Sequence, residues 1–193
     1  MLRSVLSGEL PLVTVPSFRG GYNAASEVHG LSILRFLILL SLVIWMGGLI
    51  FFAFVLAPTV FDPAVLPTRH LAGNVVSRSL NVLHWMGIVS GIVFLICSML
   101  YSRFTTGELH PFALRHLLLY GMLALTAVSQ FGITPKMAAL RSSMGEIDNF
   151  ALTDPVRVQF DAMHVWSTRL EGGVLLLGLV LIYVTALQLL SRH

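Results

Sequence analysis

The sequence predicts an all-α, four-transmembrane-helix bundle whose second and fourth helices run on beyond the membrane on one side. Three observations predict it. Of 193 residues, 56% are hydrophobic and only 11% are charged, against about 25% charged in a soluble domain; mean hydropathy is +0.85. Four stretches hold no Asp, Glu, Lys or Arg: residues 36–61, 79–102, 117–135 and 172–191. Each is close to or above the roughly 20 residues that carry a helix across the hydrocarbon core, and a helix satisfies its backbone groups internally there. Arg35, Arg103, Arg115 and Arg192 stand at or near the ends of these runs, where long cationic side chains reach the interface.

Residues 1–30 read as a flexible tail and residues 31–193 as one membrane domain. The tail is not a secretory signal: Pro11 and Pro16 break its short apolar run, and Glu9 and Glu27 interrupt the surroundings. The first apolar run ends in Ala57-Pro58 and the third in Thr134-Pro135. The second and fourth helices are expected to start well before their apolar runs. Pro67 precedes a segment free of breakers except Gly73, and Asp154-Pro155 is a helix start, with Asp as cap and Pro in the first turn. No further proline follows to Leu190, so the fourth helix would reach about 54 Å at 1.5 Å per residue, more than the bilayer is thick. A short proline-ended helix followed by a long histidine-bearing one occurs twice, which hints at a duplicated pair.

Charge and cysteine content narrow the partners. The net charge is +3 and the 12 Lys and Arg are scattered singly. That pattern suits lipid headgroups and topology rather than nucleic acid. The expected partner is the lipid bilayer, with a homo-oligomer or a membrane partner left open. Four spans put both termini on one side. The basic residues then divide six against six, so charge does not orient the chain; the tail favours cytoplasmic termini in a bacterial inner membrane. Cys97 is the single cysteine and reads as a small buried hydrophobe. No phosphate-binding loop, dinucleotide fingerprint, zinc-protease motif or nucleophile elbow occurs, which argues against soluble-type hydrolase or nucleotide chemistry.

Candidate site residues fall into three groups. Trp45, Gly47 and Gly48 in the first helix, with Gly87 and Gly91 in the second, remove bulk and point to close helix packing. His84 shares a face with Gly87 and Gly91, one turn beyond Asn81, and a histidine in a membrane helix needs a partner. In the fourth helix Arg157, Asp161, His164, Thr168 and Glu171 draw one polar stripe. There Asp161 could orient the His164 ring, and Glu171 enters the apolar run. Met86 lies two residues after His84 and Met163 directly precedes His164. Thioether with imidazole suits copper; His84 and His164 on facing helices would suit haem.

The segment Trp45-Met-Gly-Gly-Leu-Ile-Phe-Phe-Ala-Phe-Val-Leu-Ala-Pro58, with Leu66-Pro67, Leu71-Ala-Gly73, Leu83-His84 and Phe160-x-x-x-His164-x-x-Ser167, resembles the transmembrane protein 205-like family over about residues 32–190. Bacterial members of that family are catalogued as a domain of unknown function. Where the family often carries a polar amide shortly after the serine, this chain has Glu171. The resemblance implies a four-helix membrane protein without an established activity. It extends more distantly to CopD-type copper-resistance membrane proteins and a histidine-bearing haem-pathway oxidase. Three readings follow: a non-enzymatic bundle with His84 and His164 as ligand or proton-accepting groups; a copper-handling or transport protein using His84, Met86, Met163 and His164; and a haem-binding redox protein with the two histidines as axial ligands.

Overall fold

A computed structural model describes residues 19–145 and 147–190, and every regular element among them is helical. Four helices are long and apolar enough to cross a membrane, so the chain is an integral, multi-pass membrane protein. The first span joins α1 (Arg19–Phe51), a π turn (Phe52–Leu56) and α2 (Ala57–Val60). The second is α3 (Arg69–Thr106). The third joins α4 (Leu114–Ala127), a second π turn (Val128–Ile133) and α5 (Thr134–Met144), and the fourth is α6 (Pro155–Leu190).

Local chemistry sets the ends. The Thr68 hydroxyl accepts from the Leu71 N–H at 3.2 Å and starts α3. Gly107, at φ +76°, ends it, a left-handed conformation that glycine adopts without a Cβ clash. The Asp154 carboxylate accepts from the N–H groups of Val156 and Arg157 at 2.8 and 3.4 Å, the expected cap of α6. The 38 residues of α3 extend about 57 Å and the 36 of α6 about 54 Å. The expected tail boundary shifts: residues 1–18 lie outside the described residues, whereas α1 already begins at Arg19, since no proline interrupts residues 17–57.

The π turns have one physical cause. Proline has no N–H and its ring clashes with the carbonyl four residues back. Ahead of Pro58 and Pro135 the ladder widens by one residue: the Ala57 N–H bonds the Phe52 carbonyl and the Thr134 N–H bonds the Ser129 carbonyl. Each span then continues as α-helix.

The helices close a ring, with α1 packed mainly on α3, α4 on α6, and lesser contacts of α3 with α4 and α1 with α6. Small residues let them approach. A Cβ at Gly87 would fall 2.5 Å from the Trp45 Nε1, and one at Gly91 2.9 Å from the same indole and 2.8 Å from Leu123. Gly48 accepts Leu83 and Met86, and Gly178 accepts Met46. Gly47 opens onto free space. The core gathers Leu49, Phe94, Leu119, Met122, Val174 and Leu181. Phe36, Val43, Phe54, Phe131, Leu176 and Tyr183 are exposed and suit lipid contact.

Candidate functional site

The second π turn delivers two polar side chains to the bundle interior. Extending the ladder by one residue re-aims the groups that follow, and Ser129 and Gln130, adjacent in sequence, both reach groups on neighbouring helices. Gln130 Nε2 donates to Asn81 Oδ1 at 2.7 Å. Its Oε1 lies 2.8 Å from Nδ1 of His84. The other ring nitrogen, Nε2, lies 2.6 Å from Glu171 Oε1, and the Ser129 hydroxyl donates to that same oxygen at 3.0 Å. Two side chains, from the third and fourth spans, therefore meet on a histidine that is 2% exposed, and Asn81 and Ser129 in turn hold those two. On the lipid side the neighbouring rings of Trp85 and Phe131 meet edge to face, 6.0 Å between centroids.

The proton positions follow from the partners. Gln130 Oε1 can only accept, so His84 Nδ1 donates. Between Nε2 and the carboxylate lies a single proton that belongs to the pair. Both ring nitrogens are therefore engaged as the site stands. A metal could take Nε2 only by displacing Glu171, or Nδ1 only by displacing Gln130. Among the described residues, no group of three or more His, Cys, Asp or Glu is placed to hold a metal ion. As it stands, the arrangement leaves neither ring nitrogen of His84 open to copper or to haem iron.

Glu171 also lines a cavity of about 750 Å³. Both interrupted spans form its wall, through Phe52, Ala53, Pro58 and Phe61 on one side and Thr134 and Met137 on the other. Arg69, Arg141 and Arg157 line it together with Asp161 and His164. Arg141 donates to the Gly73 carbonyl at 2.8 Å and lies over the Phe160 ring, 5.5 Å from its centroid. A Cβ at Gly73 would meet that guanidinium at 3.2 Å, so glycine leaves room for it. Arg157 bonds the carbonyls of Ile147 and Phe150 at 3.1 and 2.8 Å, which fastens the last connection over this end.

The expected site residues thus separate. His84 and Glu171 meet, whereas His164 is exposed on the cavity wall. Asp161 faces Arg157 at 3.9 Å. Met86 packs by its methyl on Gly48, and Met163 is half-buried. Sequence reasoning passed over Ser129 and Gln130, although an amide inside a charge-free run is itself a signal, because a buried amide requires partners.

The matching family model covers residues 40–146 and is described as a domain of unknown function, DUF4149. The chain belongs to this family. The DUF4149 match includes His84, Ser129 and Gln130 and ends before α6, so the carboxylate partner comes from outside it. No curated protein and no solved structure matches the chain.

Sequence reasoning also passed over a second cluster, near the ends of the spans away from the cavity. His116 is fully buried; its Nδ1 faces the His110 carbonyl at 2.8 Å, and its Nε2 lies 2.9 Å from the Ser98 hydroxyl. Arg115 donates to the Ser102 hydroxyl at 2.5 Å, and Arg35 to the Tyr101 hydroxyl at 2.7 Å. A carbonyl can only accept, so Nδ1 of His116 carries a proton. This cluster ties the first, second and third spans together.

Proposed function

We propose that this DUF4149 protein is a non-enzymatic membrane protein that binds a small ligand in the cavity and couples that binding to the proton shared by His84 and Glu171. One observation carries the reading: a single carboxylate, Glu171, touches a buried imidazole at 2.6 Å and also lines an open cavity. An ionisable pair is costly to keep inside a membrane domain and marks a ligand or proton site by default. A ligand that approaches Glu171 changes its field and so changes where the shared proton rests. Gln130, Asn81 and Ser129 hold the pair in register. The cavity size falls within the range of small-molecule sites.

The test is a pH titration of the full chain in detergent, followed on the ¹⁵N signals of histidine and the ¹³C signals of glutamate carboxyls. The His84 signal is assigned by its loss in His84→Gln, and the Glu171 signal by its loss in Glu171→Gln. The expected result is one coupled transition in which both move together, and which Glu171→Gln converts to an ordinary single-site curve. Independent midpoints for the two groups would overturn the reading.

A further inference from the structure

We infer that the cavity takes an amphiphile with one anionic head group on a single hydrocarbon chain; this rests on the proposed reading of the cavity as a ligand site and names the ligand class. The wall is two surfaces of different chemistry. Toward the membrane interior it is apolar, with Leu49, Phe52, Leu80 and Leu175. At the polar end stand Arg69, Arg141 and Arg157.

The two carboxylates that line the cavity are both engaged elsewhere than at Arg141. The Glu171 carboxylate is taken by His84 and Ser129, and Asp161 faces Arg157 at 3.9 Å, with the Arg157 Nε left without a hydrogen bond. Arg141 spends one N–H on a neutral carbonyl and lies over a ring; it has no ion pair among the described residues. Nδ1 of His70, which lines the same cavity, is buried without a hydrogen-bond partner. A buried polar atom of this kind calls for a partner from outside the chain. Guanidinium groups take carboxylate or phosphate oxygens as a fork, and a hydrocarbon chain is the natural occupant of the apolar depth. A neutral head would leave the Arg141 guanidinium unmatched, a zwitterionic head would bring a cation beside it, and a fully polar anion would leave the apolar wall wet.

The experiment is calorimetric titration of the full chain in a neutral maltoside detergent with four probes: laurate, dodecyl phosphate, dodecylphosphocholine and monolaurin. Saturable binding of laurate or dodecyl phosphate, one per chain, is expected, with the other two no tighter than detergent partitioning. The stronger of the two anions shows whether a fatty-acid carboxylate or a lipid phosphate is the better match. Arg141→Gln should weaken the anionic probes roughly tenfold, equal to about 1.4 kcal/mol, and Arg141→Lys less. Because Arg141 also braces α3, Gly73→Ala is the second variant; it crowds the guanidinium and should weaken the same probes without removing the charge. Equal binding of all four probes, or anion binding indifferent to both variants, would overturn the ligand class. Coupled titration of His84 and Glu171 would survive that failure, whereas loss of the coupling with anion binding intact would overturn only the proton reading.

Discussion

The two π turns share one backbone device and carry different chemistry. Each precedes a proline; the first lines the cavity through Phe52 and Ala53, whereas the third span reaches the cavity only beyond its turn, through Thr134 and Met137. The first, Phe52–Leu56, is wholly apolar; the widened ladder there shapes a wall and exposes Phe54. The second, Val128–Ile133, contains Ser129 and Gln130, and the same widening supplies both partners that the third span gives to His84 and Glu171. A backbone irregularity is therefore not itself a site. It becomes one where polar residues occupy the turns it re-aims.

Variants can break this contrast, and the single buried thiol Cys97 supplies a readout, since a thiol-reactive dye labels it on unfolding. The largest effect is expected for Glu171→Ala, which leaves both His84 Nε2 and the Ser129 hydroxyl without a partner and should cost about 1–3 kcal/mol for each group left unpaired. A melting temperature equal to the parent's would show that the pair does not hold the bundle. Gln130→Leu removes the acceptor of His84 Nδ1 and should cost about 1–3 kcal/mol. The matched change in the other turn, Phe54→Leu, should stay within about 0.5 kcal/mol, and equal losses from the two would erase the distinction drawn here. Gly87→Ala drives a methyl into Trp45 and should cost about 1–3 kcal/mol by overpacking, visible also as a change in tryptophan emission. A second matched pair of variants sharpens the comparison most. Pro58→Ala and Pro135→Ala should each alter stability by about 1 kcal/mol or less, yet only the second should shift the histidine ¹⁵N signal of His84. A shift of that signal in Pro58→Ala would mean that the turns are coupled.

Much of this molecule was legible residue by residue. The charge-free runs place the spans, Asp154-Pro155 places the start of α6, and Gly87 and Gly91 beside His84 mark a face with room for a close neighbour, which the structure fills with Trp45. The Asp161–His164 pairing did not form, although the spacing allowed it. Helical spacing tells which residues share a face and not which neighbour that face meets. Glu171 instead reaches across to α3, while Asp161 stays near Arg157.

The sequence by itself determined the four membrane spans and the early starts of the second and fourth helices, because hydrophobic length and capping act within a few residues of chain; that the first and third spans continue past their prolines was not read from it. Only the tertiary structure decided that His84 takes Glu171 and Gln130 as partners. A one-residue widening turns the following side chains by about 100°, and the helix that each then faces is set by packing between spans far apart in sequence.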